Sequence, residues 1–321
     1  MKDLLAVNNL HTNFYTYRGV VKALSGVDLK IGREQFFGLV GETGCGKSVT
    51  ALSILRLIEE PGRIESGEVL FDGRDLLKLT EEEMERVRGK DISMIFQEPK
   101  TALNPVFNIG FQIAEAISHA YNIRLSETSD RVEGVLREVE MADPSKMAKK
   151  YPHELSGGMA QRVLIGMAIS TEPKLLIADE PTSSLDVSVQ SQIMNLINVL
   201  IEERRISVLL ITHNLGVVAE NCSRVGVMYA GNVVECADVK TIFADPAHPY
   251  TKGLIDVINM RGERGKLSTI SGLVPDLVNP PSGCRFHPRC QYAKAICQKR
   301  EPKSMMLSLG HSVSCFLYGE G

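Results

Sequence analysis

No apolar run in the 321 residues approaches the ~18 that a membrane-spanning helix requires; the longest runs are strand-sized. The amino terminus, MKDLLAVNNL, does not fit a signal peptide, because Asp3 interrupts it and its apolar stretch is short. A basic excess is missing too. With 36 Lys and Arg against 39 Asp and Glu the formal net charge is -3, which argues against nonspecific nucleic-acid binding. There is no internal repeat, no low-complexity tract and no sustained heptad pattern. These absences predict a chain kept in the cytoplasm, with any membrane role peripheral.

What is present reads as globular: 44% apolar and 23% charged residues, in a length that suggests about two domains. Three short apolar runs are continuous rather than alternating: Phe36 to Val40, Leu175 to Ala178 and Val208 to Ile211. That pattern belongs to strands buried on both faces, as in a parallel sheet covered by helices, and ligands of such sheets bind beyond the strand carboxyl ends. The first seventy residues alternate as mixed strands. Thr80 to Arg88 is charged and helical. Asn108 to Met141 keeps a helical period, with Ile113, Ala116, Ile117 and Ala120 on one face, and reads as a helical insertion. Pro275 to Pro281 should separate the last strand-like part of the fold from the tail.

The segment GETGCGKS, Gly41 to Ser48, sits between a strand and a helix-compatible run. This is a phosphate loop in its proper context: glycines let backbone N–H groups curl round a phosphate, and the helix aims its positive end at the same point. Gly41, Glu42, Thr43, Gly44, Cys45, Gly46, Lys47, Ser48 and Val49 are the expected nucleotide contacts. Lys47 should reach the β- and γ-phosphates and Ser48 should ligate Mg²⁺. A second apolar strand ends in Asp179 and Glu180. Asp179 is expected to hold Mg²⁺ through water, and Glu180 to orient and deprotonate the attacking water.

The string LSGGMAQR, Leu155 to Arg162, is the most specific feature, and with it the chain resembles the ABC ATPase superfamily. Ser156 should cap a helix beginning near Gly157, with Gly158 leaving room for close backbone approach. The resemblance implies that this helix end closes on the γ-phosphate held by a second subunit, in a head-to-tail dimer with ATP between. It further implies that Gln97 senses Mg²⁺ and the attacking water, that Ser183 to Asp186 form an interface loop, and that His213 contacts the γ-phosphate. An aromatic should stack on adenine. Phe14, Tyr15 and Tyr17 qualify, and counting back from the strand Ala23 to Leu29 favours Phe14.

The implied fold is α/β: a P-loop ABC ATPase with a RecA-like core, an antiparallel β subdomain, a helical subdomain and a small C-terminal metal-binding extension. The expected boundaries are 1–97 with 163–240 for the core and β subdomain, 98–162 for the helical subdomain, and 241–321 for the extension. FQEPKTALNP, AHPYTKGL and PPSGCRFHPRC resemble segments of the oligopeptide, dipeptide and nickel importer branch. The resemblance thus implies ATP and Mg²⁺ as cofactors, with a related cassette, two membrane permeases and, indirectly, an extracytoplasmic binding protein as partners. The surface from about Gln97 to Tyr151 should meet the permease. A nickel or other small-solute importer of the same branch is the alternative within transport. A soluble translation or repair ATPase would be expected to carry two cassettes or long coiled coils, and a purely regulatory module would lack Glu180 or His213.

Four of seven cysteines, Cys284, Cys290, Cys297 and Cys315, fall within thirty-two residues, with five, six and seventeen residues between them. Disulfides fit a reducing cytoplasm poorly. The segment is too short and polar to bury four thiols in a core of its own. Four thiolates suit zinc or an iron–sulfur cluster. No C-x₂₋₄-C knuckle occurs, and the wide, irregular spacing, together with the resemblance, favours a structural 4Fe–4S cluster over zinc.

Overall fold

The structure, a computed structural model, describes residues 3–183, 185–259 and 270–319. The chain forms two compact units: Met1–Lys78 with Ile211–Gly321, and Leu79–Leu210 between them.

The first unit opens with an antiparallel sheet of order β2-β1-β4-β5, built from β1 (Leu5–Thr16), β2 (Gly19–Ile31), β4 (Gly62–Phe71) and β5 (Arg74–Asp75). Leu5 and Val7 of β1 point inward, and so do Leu10 and Thr12, although the two pairs differ in parity. The register slips between Val7 and Leu10, where Asn9 takes φ 47°, so one extra residue keeps both pairs on the core face. β3 (Phe36–Val40) then runs into the phosphate loop, and α1 (Lys47–Ile54) follows.

In the second unit α2 (Glu81–Val87) begins at Thr80, whose hydroxyl accepts from Glu83 N while the Glu83 carboxylate accepts from Thr80 N. β6 (Ile92–Ile95) pairs in parallel with β7 (Leu175–Asp179), and β8 (Ser207–Thr212) is next in order, with its last two residues in the first unit. The helices between are α3 (Pro99–Ala102), α4 (Ile109–Tyr121), α5 (Ser129–Glu138), α6 (Pro144–Met147), α7 (Gly157–Ile169) and α8 (Val187–Arg204). The helical stretch expected from Asn108 is broken at Asn122, which turns left-handed at φ 53° and ends α4. Ile113, Ile117 and Ala120 of α4 are buried. A Cβ on Gly166 would lie 2.9 Å from Val135 Cγ1, so α5 and α7 approach closely there.

Back in the first unit come α9 (Leu215–Asn221), β9 (Arg224–Tyr229), β10 (Asn232–Asp238), α10 (Val239–Ala244) and α11 (Pro249–Asn259). β3 and β9 are parallel, buried throughout apart from their half-buried first residues, and covered by helices, as continuous apolar runs predict. The tail corrects one expectation. Strand structure does not end before Pro275, because β11 (Met305–Ser308) and β12 (His311–Val313) form beyond it, and β12 pairs with β10. Three- and four-residue strands carry too little alternation to read in advance.

The tail shares the core of this unit. Phe286 is buried with its ring 5.1 Å from Tyr229 and 5.5 Å from Tyr250, and the two tyrosines are 4.6 Å apart. Fully buried Glu235 accepts from Ala247 N at 2.7 Å, His248 N at 2.8 Å and His311 Nε2 at 2.8 Å, fastening β10 to the His-Pro-Tyr segment and to β12. Burial pushes His248 down to about 3, and its Nδ1 accepts from Tyr250 N, so the ring is neutral at physiological pH. No helix among the described residues is long and apolar enough to cross a membrane.

Candidate functional site

The phosphate loop is built as its composition requires. A Cβ on Gly41 would fall 2.1 Å from the Met228 carbonyl oxygen, so only glycine lets the loop pass β9. Gly46 stands at φ 109° and caps α1, a left-handed geometry that other residues rarely adopt. Lys47 is only 5% exposed. Its Nζ donates to Gly41 O at 2.9 Å and Glu42 O at 3.1 Å, curling back inside the loop. Thr43 and Gly44 are exposed at the loop's tip, Ser48 and Val49 are half-buried behind it, and Cys45 is buried, with its thiol pushed up by burial. The loop thus offers an ammonium and a row of backbone N–H groups, the donors that polyphosphate takes.

Of the three aromatics, Phe14 is half-buried in β1 opposite Gly62, where a Cβ would meet its ring at 2.6 Å. Tyr15 donates its hydroxyl to Glu65 at 2.7 Å, and Tyr17 is 93% exposed. His213 is exposed on the turn after β8, and the next residue, Asn214, caps α9 through Gly216 N at 3.0 Å.

In the second unit β7 delivers Asp179, 5% exposed, and then Glu180. Glu180 takes φ 46°, a costly conformation for a non-glycine residue and one that clusters at functional sites. The Ser183 N–H and hydroxyl both donate to the Glu180 carbonyl, at 3.2 and 3.1 Å, and secure that turn. Exposed Gln97 donates through Nε2 to Glu180 Oε2 at 3.3 Å, so these two residues, distant in sequence, share one place. Ser156, exposed, caps α7 by accepting from Met159 N at 3.3 Å. A Cβ on Gly157 would stand 3.4 Å from Leu185, and one on Gly158 3.0 Å from Val189, so this helix start lies against the segment that leads into α8. Asp186 is exposed immediately before α8, and Ser184 lies outside the described residues.

Cys284, Cys290, Cys297 and Cys315 line one pocket with Phe286 and Phe316, and Cys284 N donates to Cys297 O at 2.8 Å. The expected metal-ligand set is nonetheless not assembled. Among the described residues no three His, Cys, Asp or Glu side chains are grouped to hold an ion, and all seven cysteines are free thiols. Burial pushes Cys284 up to about 11 and raises Cys290 and Cys315 as well.

Sequence reasoning missed the residues that hold the loop from outside. Glu42 N donates to the Tyr250 hydroxyl at 3.0 Å. Arg289 grips the Glu42 carboxylate with both terminal nitrogens, at 2.8 and 3.1 Å. Nothing local in CRFHPRC or AHPYTKGL marks Arg289 or Tyr250 as a partner of a loop more than two hundred residues away.

Comparison with known proteins assigns families to two stretches of the chain. Residues 24–183 match the ABC transporter family, and residues 234–297 match the family described as oligopeptide/dipeptide transporter, C-terminal region. The oligopeptide transport ATP-binding protein AppD of Bacillus subtilis is 46% identical over 100% of this chain and 98% of its own length. The dipeptide transport ATP-binding protein DppD of the same organism is 44% identical over 99% of this chain and 95% of its own. Among solved structures, the dimeric ATP-binding cassette MJ0796, in a post-hydrolysis state bound to ADP and Pi, matches with a TM-score of 0.66 at 26% identity, over 73% of this chain and 98% of that one.

Proposed function

Because the chain belongs to the family of ABC transporter ATP-binding subunits, we propose that it hydrolyses ATP to energise import of di- or oligopeptides through membrane permeases, which it meets from the cytoplasmic face. The observation carrying this reading is the combination, in one chain, of a phosphate loop enclosing Lys47, a strained Glu180 bonded to Gln97, and a C-terminal region matched to peptide transporters. Lys47 and the loop N–H groups bind the phosphates, Phe14 stacks on adenine, and His213 contacts the γ-phosphate. Ser48, Gln97 and Asp179 are the residues that would hold Mg²⁺, which would neutralise phosphate charge. Glu180 is the general base. Ser156, Gly157, Gly158 and Asp186 complete the site of a second, related cassette, and the dimeric form of MJ0796 supports a two-chain site.

The test is reconstitution. Vesicles carrying the permease pair, this chain and a partner cassette should hydrolyse ATP several-fold faster, and accumulate labelled peptide, once a peptide-loaded binding protein is added. Stimulation by nickel but by no peptide would overturn the substrate class. Robust turnover by a strict monomer would overturn the two-chain site.

The tail is read as the seat of a 4Fe–4S cluster on Cys284, Cys290, Cys297 and Cys315. What supports this is the donor chemistry: four thiols lining one pocket, with spacing unlike a zinc knuckle. Bound there, the cluster would cross-link a segment of little regular structure. Anaerobically purified protein should carry about four irons per chain and broad visible absorbance, lost in Cys290→Ser. Colourless protein with one zinc per chain would defeat the cluster.

A further inference from the structure

The loop that meets phosphate carries a carboxylate of its own, Glu42, at its second position. A negative charge there opposes the binding of a polyanion unless it is neutralised and held aside. Arg289 does both. The contact is bidentate, and the side chains are well shielded, 6% exposed for Arg289 and 27% for Glu42. Arg289 is itself fixed on the remaining sides. Its Nε donates to Ser271 O at 3.0 Å, one terminal nitrogen to Ile270 O at 3.2 Å, and the other to the Tyr229 hydroxyl at 3.4 Å. The bond to Glu42 raises its pKa further, so it stays charged throughout.

A second arginine of the same short segment secures the other side of the loop. Arg285 donates to the carbonyls of Lys22 and Ala230 and to the Ser25 hydroxyl. Ala230 and Gly231 form the turn between β9 and β10, both with positive φ, and Gly231 N donates to Cys45 O of the phosphate loop at 2.7 Å. Phe286, buried between the two arginines in sequence, anchors both in the core.

We propose that Arg289 is a positioning residue for ATP, which neutralises Glu42 and draws its carboxylate out of the phosphate path, so that the C-terminal segment sets the affinity of a loop more than two hundred residues upstream. This rests on the loop being the ATP site. The experiment is equilibrium binding of MgATP to the full chain in four forms: wild type, Arg289→Ala, Glu42→Gln and the double variant, with Arg289→Lys and Lys47→Ala alongside. Arg289→Ala should weaken ATP about tenfold, the size expected for one charge-assisted contact. Glu42→Gln should bind ATP more tightly than wild type, because the charge that opposes the polyanion is gone. The double variant should recover most of the loss, a rescue that mere loosening of the tail would not produce, and Arg289→Lys should lose only part of it.

Unchanged affinity in Arg289→Ala overturns the proposal, and so does a loss that Glu42→Gln fails to recover. If Arg289→Ala does not fold, Glu42→Gln alone decides, since a tenfold loss there contradicts a neutralised repulsion. Wild-type affinity in Lys47→Ala would instead overturn the ATP site itself.

Discussion

Glu180→Gln should bind ATP normally and turn it over ~10²–10⁴-fold more slowly, the range for loss of a general base. The substitution is nearly isosteric, so the left-handed turn at Glu180 and the Ser183 bonds to its carbonyl should persist. The amide keeps an oxygen for Gln97 Nε2 to bond, but it no longer takes a proton from water. The phosphate loop stands on a different stretch of chain and is untouched. Binding and turnover should therefore separate, with the variant accumulating as an ATP-bound dimer. Single-turnover hydrolysis beside nucleotide titration measures both, and near-normal turnover would show that the base is another group.

Lys47→Ala should act in the opposite sense, lowering affinity for ATP by roughly a hundredfold or more. Charge-assisted hydrogen bonds contribute ~1.5–3 kcal/mol each and tenfold in affinity is 1.4 kcal/mol, so loss of contacts to two phosphates gives at least that. In this structure the ammonium is already inside the loop on the carbonyls of Gly41 and Glu42, so alanine also leaves those oxygens without their donor. Calorimetric titration with MgATP checks the loss, and a thermal melt within a few degrees of wild type would assign it to binding rather than unfolding. Binding within threefold of wild type would exclude Lys47 from phosphate recognition.

The parts of the fold legible in the sequence were those where one local rule decides. β3, β7 and β8 announced themselves because burial on both faces leaves continuous apolar runs. α7 was marked by Ser156, a cap whose effect reaches only three residues, and α2 by its charged composition, while the cap that Thr80 supplies emerges only in the structure. Long separations were not legible. Tyr250 and Arg289 reach Glu42 across 208 and 247 residues, and no period or spacing encodes that. The extra residue at Asn9, which resets the parity of β1, was equally hidden. Cysteine spacing brought four thiols to one pocket, yet nearness in sequence carries no coordination geometry, and the described residues hold no closed ligand group.

β12 has a consequence unrelated to ATP. It lies along the free side of β10, pairing Val313 with Glu235 and Ser312 with Cys236. β9 occupies the other side of β10, so without β12 the strand would lose its pairing partner at Glu235 and Cys236. An open edge of that kind is a template for another chain. The strand left outermost instead is β11, four residues long and mostly exposed, too short to recruit a neighbour well. A stop codon ahead of His311 should therefore raise self-association, seen as larger species on size-exclusion chromatography, because it uncovers part of an edge prone to aggregation.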